Sequence, residues 1–253
     1  MTSAAARPRG RPRKDRAGTA PNDPPGHQTG DRAHGSAAGP TDRPVDSSTG
    51  DPVHGSTPST DQLLSVALDA FATYGYQGVS VRTLNRELGV SHNLLHQRFG
   101  SKQAIWYAAV DHGFGRLTAE LARATAEQDD PLAQLRAFIT AFVAFSARHP
   151  QLYRLVNQES SQHTERLDYL LDRYVRPTIG RMAPIYEELV EHGRIRALSW
   201  EAVYHLITAG GAAKYGADAL STALFSADAL AADGMDSYAD CIASLIIDGL
   251  RTP

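Results

Sequence analysis

The chain has 253 residues, of which 42% are hydrophobic and 21% charged, and its net charge is −3. That is enough apolar material for one or two packed domains, and the charge balance by itself points to no acidic partner. Its one cysteine, Cys241, excludes an internal disulfide and a cysteine-rich metal site, and no apolar run approaches the roughly 18 residues a membrane helix needs.

Residues 1–59 form the first segment. Residues 1–60 hold nine of the 14 prolines and no Phe, Trp, Tyr, Leu or Ile. Such a segment cannot bury enough apolar surface to offset its ordering entropy, so a disordered tail is expected. No apolar stretch follows its basic start, so it does not read as a secretory signal. Its positive charge is concentrated in Arg7, Arg9, Arg11, Arg13, Lys14 and Arg16. The run Arg9-Gly10-Arg11-Pro12 resembles an AT-hook. Proline extends the backbone, glycine lets it approach the groove floor, and arginine is drawn to the narrow minor groove of A·T tracts. A coil of the intervening length has an r.m.s. span of roughly 35–40 Å, so such a hook would act by effective concentration. The remaining residues carry −5. Arginine outnumbers lysine 22 to 3, a coding bias typical of GC-rich bacterial genomes.

From residue 61 the pattern becomes helical. Leu63, Leu64, Ala67, Leu68 and Phe71 mark one amphipathic stripe. Ser59 or Thr60 is placed to cap it, and Gly75 to end it. Val79, Leu84, Leu88, Val90, Leu95 and Phe99 then form the apolar skeleton of two short helices, joined by Gly89-Val90-Ser91. Glycine permits a positive φ, Val90 plugs the core and Ser91 is the expected cap of the second helix. This spacing fits a helix-turn-helix, and it also fits an ordinary helical hairpin. Further stripes run over 102–127, 131–148, 150–159, 164–191, 199–215 and 236–250. Pro131 and Pro150 suit helix starts, whereas Pro177 and Pro184 fall within a longer pattern and should kink or split it. Residues 217–235 read equally as a loop or a short extra helix. The fold class is all-α.

The stretch from Leu63 to Asp111 resembles the N-terminal domain of the TetR/AcrR family of transcriptional regulators. The residues that carry the resemblance are Phe71, Tyr74-Gly75-Tyr76, Ser80-Val81-Arg82, Gly89-Val90-Ser91, Leu95, Phe99 and Gly100-Ser101-Lys102. It implies a helix-turn-helix DNA-binding domain over 60–106 and an effector-binding and dimerisation domain over 107–253. By position, Ser80, Arg82 and Lys102 would meet phosphates, while His92, Asn93, Leu94, His96 and Gln97 would face the major groove, and Arg9 and Arg11 would reach a minor groove. The family usually has Gly or Ala at position 93, Thr at 94 and Tyr at 96, so these departures bear on which bases are read. The amides of Asn93 and Gln97 suit adenine, and Leu94 suits a thymine methyl.

His92 and His96 have a zinc-ligand spacing, but Asn93 replaces the acidic residue of HExxH and no third ligand is near in sequence, so neither metal nor cofactor is expected. The resemblance implies a cavity for a small, largely apolar effector. Phe138, Phe142, Tyr153, Tyr174, Tyr186 and His205 are the candidates to line it, although aromatic stripes are also what a plain core requires. It further implies a homodimer through the last two helices, with Val203, Leu206, Ile207, Gly210, Gly211, Ile242, Leu245 and Ile246 at the interface. A two-fold dimer can read a palindrome, for which a single helix-turn-helix has too small a reach. The expectation is a cytoplasmic, nucleoid-associated repressor. An architectural binder of A·T-rich DNA without a ligand is the rival, and no set of residues marks an enzyme.

Overall fold

The computed structural model describes residues 58–216, 223–224 and 235–252. The expected tail, with Arg9 and Arg11, and nearly all of 217–235 lie outside these residues. Among the described residues every regular element is helical, and one isolated bridge joins Ile195 to Arg251.

Helix α1 (Thr60–Gly78) starts in a capping box, in which Ser59 accepts from the Gln62 N–H while the Gln62 side chain accepts from that of Ser59. Gly75, at φ 70°, breaks the helical geometry near its end. Helices α2 (Val81–Glu87) and α3 (Leu94–Phe99) follow, and then α4 (Lys102–Ala126), capped by Ser101. Proline occupies the first turn of both α5 (Pro131–Arg148) and α6 (Pro150–Glu159), where its missing N–H costs nothing.

The pattern over 164–191 splits at one point. Helix α7 (Glu165–Leu170) passes through a π turn (Leu171–Val175) into α8 (Arg176–Glu191). Pro177 lies just beyond that turn, whereas α8 continues through Pro184, so the expected split at Pro184 does not occur. The next stripe divides likewise into α9 (Trp200–His205), a π turn (Leu206–Gly210) and α10 (Gly211–Gly216). Helix α11 (Met235–Leu250) packs on α5, where Arg136 donates to the Ser244 hydroxyl at 3.0 Å. The Arg196 N–H donates to the Leu250 carbonyl at 2.7 Å and ties the α8–α9 connection to the end of α11.

Two glycines set how closely helices approach. A Cβ on Gly113 of α4 would lie 2.7 Å from methyl groups of both Leu68 and Leu152, so α1, α4 and α6 converge on one missing side chain. A Cβ on Gly211 would lie 2.6 Å from Val143 Cγ2. Valine is β-branched and stiff at χ1, so it cannot swing aside as the end of a leucine can. Gly211→Ala is therefore expected to destabilise the protein by about 1–3 kcal/mol, measured as a lowered midpoint in chemical denaturation.

Candidate nucleic-acid interface

The helix-turn-helix is built around Leu84 and Leu95, which are both fully buried. Gly89 takes a φ of 63° in the turn, a conformation that a residue with a Cβ adopts only with strain. Ser91 differs from its expected role: α3 begins at Leu94, and the contact to Ser91 is from the Leu94 N–H to its backbone carbonyl at 3.1 Å. The turn thus runs two residues further than the sequence pattern indicates, leaving α3 with no side-chain cap.

A buried polar residue replaces that cap. Asn85 has 0% exposure; its Nδ2 donates to the His92 carbonyl at 2.7 Å and its Oδ1 accepts from the Leu95 N–H at 3.3 Å. It therefore fixes both the incoming turn and the first turn of α3. On the opposite side His92, Asn93, His96 and Gln97 are all exposed on one edge. Leu94 is half-buried against the core. Ser80 caps α2 by accepting from the Thr83 N–H at 3.0 Å, and Arg82 beside it is exposed. Lys102 opens α4, a 25-residue helix, at the end where free N–H groups and the helix dipole favour an anion.

Behind this surface the expected pocket residues divide. Phe138, Tyr174 and Tyr186 are buried, and Phe142 and Tyr153 are half-buried. The Tyr174 hydroxyl donates to Asp111 and the Tyr186 hydroxyl to the Leu198 carbonyl, so both polar groups are engaged within the chain. Tyr153 packs against Gly216, whose absent Cβ leaves room for its ring. His205 is exposed and does not belong with the other five. Helix α9 turns Val203 inward, and a residue two positions on points to nearly the opposite side. A small cleft bordered by His112, Gly113, Arg116, His149 and Gln151 lies elsewhere and contains none of the six.

The expected interface divides in the same manner. Val203, Ile207 and Gly211 are buried within the subunit and are removed from that set, because a partner cannot touch them without unpacking the core. Leu206 and Leu245 are 52% and 65% exposed. Gly210 is exposed, and Ile242 and Ile246 are half-buried on the same helix as Leu245. These five of the expected interface residues retain exposed surface.

Residues 63–109 match the bacterial regulatory proteins of the tetR family, and residues 131–246 match the tetracyclin repressor-like C-terminal domain. The chain belongs to the TetR/AcrR family. Among curated relatives it is 30% identical over 95 residues to the HTH-type transcriptional activator FasR of Mycolicibacterium smegmatis. It is 32% identical over 97 residues to the HTH-type transcriptional regulator RutR of Escherichia coli. Each match covers 38% of this chain and 43% or 45% of the relative, less than half the length of either. The fold as a whole is shared with the solved structure of the ketosteroid transcriptional regulator KstR2 of Mycobacterium tuberculosis, at a TM-score of 0.60, 18% identity, and coverage of 80% of this chain and all of that one. It is also shared with PfmR of Thermus thermophilus, at a TM-score of 0.55, 22% identity, and coverage of 78% and 100%.

Within this TetR/AcrR chain, sequence reasoning missed a polar cluster on α4. The Tyr169 hydroxyl donates to Asp111 at 2.6 Å, alongside that of Tyr174. Tyr169 and Tyr174 are five residues apart, a spacing that diverges by roughly 140° on an α-helix of 3.6 residues per turn. The π turn brings them back to one side. Periodicity of 3.6 gives no signal for such a pair. Asn85 was equally hidden, as it reads as one more polar residue beside Arg86 and Glu87.

Two outcomes follow from these clusters. Asn85→Leu leaves the buried Leu95 N–H without its partner, and is expected to cost about 1–3 kcal/mol of stability and to weaken DNA binding as well. Chemical denaturation and a mobility-shift titration measure the two effects. Burial first, and then the hydrogen bond to Asp111, push the Tyr169 hydroxyl up to about 12; the same causes raise Tyr174. A raised acid holds its proton more tightly in the folded state, so its stabilisation is present below the ordinary tyrosine value near 10 and is lost as pH rises through about 12. An ultraviolet titration should show these two rings ionising above the ordinary tyrosine value near 10. The upward shift should shrink but persist in Asp111→Asn, because burial, its larger cause, remains.

Proposed function

We propose that the protein is a homodimeric transcriptional repressor that reads a two-fold symmetric operator and is released from it by a small, largely apolar effector. The observation that carries this reading is the recognition edge. His92, Asn93, His96 and Gln97 are exposed together on a turn and helix held rigidly from behind by Asn85. Side chains on such an edge can offer donors and acceptors to base edges without first giving up internal bonds. Arg82 and Lys102 flank the edge and would fix its register through phosphates, as would Ser80 if its hydroxyl donates outward while still accepting from Thr83.

The stripe of exposed Leu206, Gly210 and Leu245 with half-buried Ile242 and Ile246 is the proposed dimer face. Apolar side chains this exposed gain by burial against a second copy, and two-fold pairing would place two recognition edges on one side of the assembly. The effector would act within α5–α8, among Phe138, Phe142, Tyr153, Tyr174 and Tyr186. Coupling is reciprocal: an effector that weakens DNA binding tenfold has its own binding weakened tenfold by DNA.

The test is selection from a random duplex pool with the full-length protein at near-physiological salt. Enrichment of a two-fold site supports this reading, and transcription from a promoter carrying that site should then fall when the protein is present. Enrichment of unsymmetric A·T runs would overturn it in favour of an architectural binder acting through the basic tail.

Two variants sharpen the reading. Lys102→Ala should weaken binding to all sequences alike and reduce the slope of log affinity against log salt by about one, as expected for one lost phosphate contact. A loss confined to one sequence would count against the phosphate role. Leu245→Asp places a charge at the centre of the dimer face, and should yield a folded monomer by analytical ultracentrifugation with little affinity for the two-fold site.

A further inference from the structure

We propose that Arg166, with Glu159, is a positioning residue for DNA binding that acts on Lys102 through the ring of Tyr76. This rests on the reading of Lys102 as a phosphate contact. Glu159, near the end of α6, is 5% exposed, and a carboxylate so buried requires a partner. Arg166 supplies it: its Nε lies 3.1 Å from both carboxylate oxygens, and Thr164 donates to the same group at 3.3 Å. The Arg166 side chain is itself 20% exposed, so the guanidinium is pinned rather than solvated. The pinned group lies over the Tyr76 ring, 4.1 Å from its centroid.

Tyr76 follows the kink at Gly75 and stacks on Phe71 at 5.9 Å. Lys102 Nζ lies over the same ring at 4.4 Å. One aromatic ring thus receives two cations, one from the helical domain and one from the first residue of α4. The ring quadrupole attracts each of them, while the two cations repel one another. Burial and then the Arg166 charge lower the Lys102 ammonium from its ordinary value. With Arg166 held by Glu159, Lys102 is the member of this set free to yield, and the repulsion limits how far its ammonium settles onto the ring. A contact in the helical domain thereby sets the pose of a residue at the DNA surface.

The experiment measures affinity across a salt series for a labelled duplex carrying the site that the wild-type protein selects. The variants are Lys102→Ala, the pair Glu159→Gln with Arg166→Gln, and all three changes together. Replacing both partners avoids leaving a lone buried carboxylate. The paired variant is expected to lose about three- to tenfold in affinity and about one unit of salt slope, with no further loss when added to Lys102→Ala. Full additivity, or wild-type affinity in the paired variant, overturns the proposal. Unchanged affinity in Lys102→Ala alone overturns the phosphate reading and this inference together, and the single variant reveals which has failed. Should the paired variant not melt cooperatively, Tyr76→Leu replaces it. The same loss, restored in Tyr76→Phe, supports the role of the ring, and no loss overturns it.

Discussion

The architecture depends on the apolar face of α4. Ile105, Trp106, Ala109, Val110, Gly113, Phe114, Leu117 and Leu121 are all buried and follow one another at three- and four-residue steps. Each large side chain in that row contributes about 1.5–3 kcal/mol by leaving water. The face is long enough to serve two neighbours, packing against α1 near the DNA surface and against α5 along the helical domain. Helix α1 shares its burial between α4 and α6, and α5 shares its own between α4 and α11. Because one rigid helix completes both cores, the helix-turn-helix does not move independently of the domain behind it.

The elements legible in the sequence are those with local causes. Pro131 and Pro150 mark helix starts because a missing N–H is harmless only there, and α5 and α6 begin at those residues. The stripe of α1 and the glycine turn at Gly89 are visible for the same reason, since each is a short-range constraint. The π turns at Leu171–Val175 and Leu206–Gly210 gave no such sign. An extra residue in a turn leaves the apolar pattern nearly unchanged while rotating everything after it. Tyr169 and Tyr174 consequently meet at Asp111, a convergence that α-helical spacing forbids.

The candidate site was legible in outline for a different reason. Its residues were assigned by position from the resemblance to the family, and the exposure of His92, Asn93, His96 and Gln97 agrees with that assignment. What holds that edge is a matter of tertiary pairing. Asn85 finds His92 and Leu95 only once the turn has closed, and Arg166 finds Glu159 and Tyr76 only once α6 and α7 pack beside α1. The stripe of the last helices shows the same limit. The resemblance marked Val203, Leu206 and Ile207 alike, and only the packing of α9 and of the π turn after it separates the buried pair from the exposed leucine.

Polar contacts hold helix α4 along its length, among them Lys102 at the Tyr76 ring, Asp111 by two tyrosine hydroxyls, and Glu120 by Arg148 on α5. These restraints differ in how readily they can be exchanged. The Glu120–Arg148 pair is partly exposed, and an ion pair in that setting contributes little. The Asp111 cluster is shielded and charge-assisted, so a carboxylate that lost both hydroxyls would need another partner at once. A ligand entering beside Tyr174 must either leave those bonds intact or offer Asp111 a donor of its own. On the proposed reading this confines the effector's effect on DNA to whichever arrangement of the tyrosine pair it favours. The π turn is the element that sets this arrangement, because it alone brings residues 169 and 174 to the same carboxylate. Straightening it to α-helical spacing would separate the two rings and release one restraint on α4, nine residues from Lys102, the proposed phosphate contact.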